Sequence, residues 1–215
     1  MKRILFFGDS ITDMSRNFSA NIGDISSYGN GYVFLTATEL QSKFPGEYEI
    51  INRGISGNRS VDLYARIKQD CWNLNPDVLT VLIGVNDVWH ELGNRNGVEL
   101  NRFENVMRTM LTETRERLPD MQIFLIEPFF LHGTVVEQLG YEGFKSVYDY
   151  AKVIKKLSEE FDCVFIKLQE KFNALAEKYG EENYLYDGVH PNLAGAKLIS
   201  EEWLKVFYNK YKSEL

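Results

Sequence analysis

Short apolar runs with no polar face, alternating with longer segments that are apolar at helical spacing, constrain this chain more than any other feature. RILFF (3–7), YEIIN (48–52), VLTVLIG (78–84), QIFLIEP (122–128) and CVFIKL (163–168) are too short for helices. They are apolar on both faces, as buried parallel strands are. Between them lie GYVFLTATELQSKF (31–44), SVDLYARIKQDCW (60–72), ELNRFENVMRTMLTETRERL (99–118) and YEGFKSVYDYAKVIKKLSEEF (141–161), all with helical periodicity. EKFNALAEKY (170–179) and NLAGAKLISEEWLKVFYNKY (192–211) follow the last strand. Such alternation predicts a three-layer α/β/α sandwich with helices on both faces of a five-stranded parallel sheet. No repeat, low-complexity tract or linker interrupts it, so residues 1–215 are expected to form a single domain.

Charge and cysteine usage exclude several functions. With 24 Lys and Arg against 31 Asp and Glu, the formal charge is −7, which argues against nucleic acid and for neutral or small substrates. The basic stretch KVIKK (152–156) alternates with apolar residues and is a solvated helix face. Ile4 to Phe7 is too short for the apolar core of a secretion signal, and Val78 to Val85 too short to span a bilayer. A cytoplasmic chain without membrane partners is the expectation. Cys71 and Cys163 are too few for a disulfide framework or a zinc site and read as buried hydrophobes.

Ligands bind outside the carboxyl ends of the strands in open α/β sheets, and there the sequence turns small and polar. Gly8-Asp9-Ser10 follows the first strand, Asn52 to Gly57 the second, and Gly84-Val85-Asn86-Asp87 the third. Two polar, Gly-bearing stretches, 14–30 and 129–140, should hang over the same edge. A nucleophilic hydroxyl needs an exposed turn, a base, and donors for the oxyanion that it creates. For Ser10 the base is found in YDGVHPN: Asp187 precedes His190 by three residues, Gly188 permits a tight turn, and Pro191 suits the start of a helix. That spacing can place a carboxylate beside the imidazole and fix its tautomer.

These residues resemble the signature of the SGNH (GDSL) hydrolases. Ser10 in GDSITD, Gly57 in NRGISGN, Asn86 in GVND and His190 in DGVHP match the four signature residues, in the family's order and along nearly the whole chain. Ile11 stands where the family's four-letter name has Leu. The resemblance implies the SGNH/flavodoxin-like fold, Ser10 as nucleophile, His190 as general base and acid, and Asp187 as its orienting partner. It implies an oxyanion hole of the Ser10 and Gly57 N–H groups and the Asn86 amide, with no metal or cofactor. GDSITD, GNGYV, NRGISGN and IGVNDVW are most similar to the acetylxylan esterase branch, which implies a cytoplasmic homo-oligomer acting on acetylated xylo-oligosaccharides.

Other residues around these motifs have structural as well as functional readings. Asp9, Tyr32, Trp89, His90 and Phe129 are candidates for contact with substrate, and Tyr28, Phe130 and His132 join them as weaker guesses. Asp9, Asp13 and Asp87 suit hydrogen bonds to loop backbone or pairing with Arg better than chemistry, and Ser56 lacks the G-x-S-x-G elbow and suits a brace for the Gly57 turn. A thioesterase or lysophospholipase acting on longer acyl chains is the alternative activity. A metal-dependent phosphoesterase using Asp9, Asp13, Asp87, Asp187 and His190, and a non-catalytic carbohydrate-binding protein, are the readings from other classes. Both fit less well: metal-ligand spacing is missing, and a binding protein would not need Ser, Asp, His and two oxyanion donors together.

Overall fold

Five parallel strands, β1 (Lys2–Gly8), β2 (Tyr48–Gly54), β3 (Val78–Leu82), β4 (Gln122–Ile126) and β5 (Val164–Ile166), stand in the order β2-β1-β3-β4-β5. The structure is a computed structural model and describes residues 1–211. The helices are α1 (Ser10–Asp13), α2 (Tyr32–Lys43), α3 (Ser60–Asp70), α4 (Val85–Asn94), α5 (Leu100–Arg117), α6 (Thr134–Leu139), α7 (Tyr141–Phe144), α8 (Val147–Glu160), α9 (Gln169–Tyr179) and α10 (Leu193–Lys210).

Adjacent residues of β1 serve opposite layers, because successive side chains of a strand point to opposite faces. Phe6 meets Tyr32 of α2 and Trp203 of α10, and Trp203 also packs on Phe124 of β4 and donates its indole N–H to Thr80 Oγ1 at 2.8 Å. Phe7 lies instead under the guanidinium of Arg66 on α3. Helices α2 and α10 therefore cover one face, and α3, with α5 and α8 packed in series beside it, the other. Each large side chain buried in these layers contributes about 1.5–3 kcal/mol.

The strand order puts the site where it is. The chain leaves β1 for β2 on one side and returns to β3 on the other, opening a crevice at the carboxyl ends of β1 and β3. Register brings those ends level: Gly8 pairs with both Gly54 and Leu82, and Leu82 with Ile126. Segments following β1, β2 and β3 thus emerge side by side.

Local departures from the expected pattern have local causes. The stretch after β3 is helix α4 rather than a turn, entered through Gly84 at φ 130°. The single helix expected over 141–161 is two, α7 and α8, because the Ser146 hydroxyl donates to the Gly143 carbonyl and its own carbonyl starts the next helix. The stretch 129–140 contains α6, and 14–30 contains a short 3₁₀ turn, Ile25–Tyr28. Cys71 is buried and Cys163 half-buried, both as free thiols. Among the described residues no helix is long and apolar enough to cross a membrane.

Candidate active site

Ser10 is the first residue of α1, directly beyond the end of β1. Asp9 caps that one-turn helix, its Oδ1 accepting the Ile11 N–H at 2.9 Å. The other ring of the site comes from the far end of the chain. Asp187 Oδ1 accepts the N–H groups of Val189 (2.9 Å) and His190 (2.8 Å), closing a tight turn. Backbone bonds from Leu131 to the Gly188 carbonyl and from Val135 to the Asp187 carbonyl brace it from the 129–140 segment. Asn192 then caps α10 by accepting from Ala194 and Gly195.

That turn leaves Asp187 Oδ2 2.7 Å from His190 Nδ1, and His190 Nε2 2.8 Å from Ser10 Oγ. A proton on Nδ1 donates to the carboxylate, so Nε2 is the acceptor that faces the serine. Burial pushes the Asp187 carboxyl up, but the hydrogen bonds from the His190 ring and from the His190 and Val189 N–H groups outweigh it and hold the group below its usual range. It is the anionic partner that an imidazolium needs.

A cavity of about 470 Å³ opens over Ser10 and His190. Gly57, at φ 79°, and Asn86 border it, beside Met14, Ser15, Ser56, Trp89, His90 and Tyr186. The Asn86 amide gives one N–H to the Asn58 carbonyl at 3.0 Å, leaving its second N–H available. His190 is flanked by two rings: Trp89 meets it edge-on at 5.6 Å, and Tyr186 stacks on it at 5.7 Å with 15° between planes. Burial and the Arg59 cation hold the His90 imidazole below its usual range, against the pull of Asp62.

The structure thus brings Ser10, Gly57, Asn86, Trp89, His90 and His190 to one cavity, with Asp187 behind the histidine. Three of the substrate-contact candidates lie elsewhere. Asp9 is fully buried, its Oδ1 capping α1. Tyr32 is in the core, bonded through its hydroxyl to Thr12 and packed on Phe6. Phe129 is buried and stacked on Phe172 at 4.4 Å. Of the weaker guesses, Tyr28 is buried, and Phe130 and His132 border a separate cavity with Tyr141 and Tyr148. Met14, Ser15 and Tyr186 border the cavity in addition to the residues that the sequence motifs single out. Met14 and Ser15 reach the cavity through a left-handed pair (φ 39° and 62°) that follows α1, for which their side chains give no signal. Tyr186 had one, standing directly before Asp187 in the quoted motif.

The carboxylates invoked for a metal are dispersed. Asp9 caps α1, Asp13 binds Ser56, Asp87 binds Ser60 and Asp187 binds His190. Among the described residues no group of three or more His, Cys, Asp and Glu could hold an ion. Burial pushes the carboxyls of both Asp9 and Asp87 up to about 7.

Residues 6–198 match the model of the GDSL-like lipase/acylhydrolase family. The chain is 30% identical to an acetylxylan esterase of Geobacillus stearothermophilus over 209 residues, covering 95% of this chain and 93% of that protein. The crystal structure of that organism's acetylxylan esterase Axe2 superposes with a TM-score of 0.84 at 30% identity, covering 95% and 93% of the two chains. Catalytic mutants of Axe2 carry alanine at a serine, an aspartate and a histidine, the last two being three positions apart. A GDSL-like lipase of Parabacteroides merdae superposes with a TM-score of 0.87 at 40% identity, covering 95% of this chain and 94% of that one.

Proposed function

The chain belongs to the GDSL-like lipase/acylhydrolase family and is an esterase, and from that premise we propose that it removes acetyl groups from carbohydrate esters such as acetylated xylo-oligosaccharides through an acyl-enzyme on Ser10. The hydrogen-bonded line Asp187–His190–Ser10, opening on a cavity that Gly57 and Asn86 border, carries this reading.

In the reaction Ser10 Oγ attacks the ester carbonyl as its proton passes to His190 Nε2, and Asp187 stabilises the resulting imidazolium. The carbonyl oxygen becomes an oxyanion held by the Ser10 and Gly57 N–H groups and the Asn86 amide. His190 returns its proton to the departing sugar oxygen, the C–O bond breaks, and acetyl-Ser10 remains. Water, deprotonated by His190, attacks that ester; the bond from the acetyl carbon to Ser10 Oγ breaks as His190 returns the proton to Oγ, releasing acetate and the free enzyme.

Two features support a small acyl group on a neutral, hydroxylated alcohol. Among the described residues bordering the cavity there is no Lys, Arg, Asp or Glu, so nothing is built for a phosphate or a cation. Serines and an amide share its lining with the rings, rather than the continuous apolar wall that a long acyl chain requires. A homo-oligomer completes the reading, supported by Phe18 and Ile25, which stand exposed on the 14–30 segment; sedimentation velocity tests it. Acetate release from acetylated xylo-oligosaccharides, measured beside p-nitrophenyl esters from acetate to octanoate, tests the substrate. Release from the sugar with kcat/KM falling along the ester series is expected. A rise through octanoate without release from the sugar gives the assignment to a thioesterase or lysophospholipase.

A further inference from the structure

The loop that carries Gly57 is gripped on both sides by buried carboxylates, each coming from an element that carries another part of the site. On one side Asp13, three residues after Ser10 on α1, accepts both the N–H (3.1 Å) and the hydroxyl (2.6 Å) of Ser56 at Oδ2. On the other side Asp87, next to Asn86 on α4, accepts the N–H of Ser60 (3.1 and 3.2 Å) and its hydroxyl (2.5 Å). Gly57 lies between these grips, and Asn58 is tied through its carbonyl to the Asn86 amide.

We infer that Asp13 and Asp87 are positioning residues that set the distances from the Gly57 N–H to Ser10 and to Asn86, and so shape the oxyanion hole. This rests on the proposed role of Ser10 and its oxyanion donors. Loop anchoring alone does not require the anchors to start from these two helices. Here each side of the triangle formed by Ser10, Gly57 and Asn86 has its own tie: Asp13 joins the first pair, Asp87 and the Asn58 carbonyl the second, and the level ends of β1 and β3 the third. The Asp13 side is reinforced by close approach. Arg16 donates to the Gly54 carbonyl at 2.8 Å, Ile55 to the Gly8 carbonyl at 3.1 Å, and a Cβ on Gly54 would lie 2.2 Å from the Asp13 nitrogen, so only glycine lets α1 sit against this loop.

Each of these side chains accepts the N–H and the hydroxyl of one loop residue, so losing either acceptor leaves buried donors unpaired and lets the loop drift. A donor displaced by a fraction of an ångström binds the oxyanion less well while touching the ground-state ester little, so the effect falls on kcat.

The test uses Asp13→Ala, Asp87→Ala, Ser56→Ala and Ser60→Ala with p-nitrophenyl acetate, rates being expressed per active serine titrated by a p-nitrophenyl phosphonate. The carboxylate variants should lose about 10- to 100-fold in kcat with KM within about twofold, and Ser10 phosphonylation should slow by the same factor. The serine variants, which keep the backbone bond and serve where a buried carboxylate variant fails to fold, should lose about fivefold. Wild-type kcat per titrated serine, with loss only in Tm, overturns the proposal, as does a rise in KM at constant kcat. Ser10→Ala separates the two levels: hydrolysis surviving in it defeats the nucleophile reading itself, whereas its loss alongside unimpaired Asp13 and Asp87 variants defeats only the positioning roles.

Discussion

Ser10 Oγ and His190 Nε2 lie 2.8 Å apart although 180 positions of sequence separate them. The fold makes that contact by ending β1 at the crevice and returning the segment before α10 to the same edge. A nucleophile and base that act as a unit fail together, so Ser10→Ala and His190→Ala should each cost on the order of 10⁶ in kcat, and the double variant no more than either alone. Additive losses in p-nitrophenyl acetate hydrolysis would separate the two roles.

Asp187 holds the imidazole by its Oδ2 and its own turn by Oδ1. Asp187→Asn keeps the size but presents an amide N–H or a neutral oxygen to Nδ1, removing the charge that stabilises the imidazolium and favouring the wrong tautomer. A loss of roughly 10⁴ in kcat with little change in Tm is expected. Turnover within tenfold of wild type would show that the histidine needs no anionic partner.

How much of this was legible beforehand differs from residue to residue. Ser10, Gly57, Asn86 and His190 could be placed at one edge because each follows a strand end or a glycine-marked turn, and parallel strands must emerge on the same side. Asp9 and Tyr32 adjoin the motifs in sequence yet are buried away from the cavity, because closeness to a motif in sequence says nothing about direction. In a one-turn helix the residue before Ser10 caps inward, and Tyr32 opens α2 on its core side. Phe129 starts the segment over the site, but its ring follows the apolar surface of Phe172. The grip on Gly57 was partly visible, since Ser56 reads as a brace, but its partner Asp13 is 43 residues away and no local pattern links them.

If the free N–H of Asn86 meets charge that exists only in the transition state, Asn86→Ala should lower kcat by roughly 10²- to 10³-fold and leave KM nearly unchanged. Steady-state kinetics with p-nitrophenyl acetate decide this, and an effect confined to KM would assign the amide to ground-state binding. The variant also frees the Asn58 carbonyl, so its Tm is to be recorded beside its rate.

Asp9 makes stability fall as pH rises. Its Oδ2 is buried with no hydrogen-bond partner among the described residues, and burial raises its pKa from 3.8 to about 7. Between those values the folded protein keeps a proton that the unfolded chain has lost. Its contribution is therefore most favourable below 3.8, declines as pH climbs towards 7, and changes no further above that. Asp87 contributes in the same direction. Asp9→Asn keeps the cap on Ile11 and removes one of the two slopes, so urea unfolding from pH 4 to 8 should show the variant gaining on the wild type as pH rises. A difference independent of pH would mean that Asp9 is ionised throughout.

The leaving oxygen must approach His190 Nε2 to receive its proton, so the alcohol half of the ester lies against the rings that flank the imidazole. Tyr186 offers the more exposed of these, with 57% of its surface free. A pyranose can lay its apolar face on such a ring while its hydroxyls meet water, Ser15 and His90. Tyr186→Ala should then raise KM for acetylated xylo-oligosaccharides by about tenfold, equivalent to the ~1.4 kcal/mol within reach of one aromatic contact. Methyl acetate, which has no ring to stack, should be hydrolysed as by the wild type, and Tyr186→Trp should restore the sugar ester. Equal losses on both esters would show instead that Tyr186 serves only to hold His190.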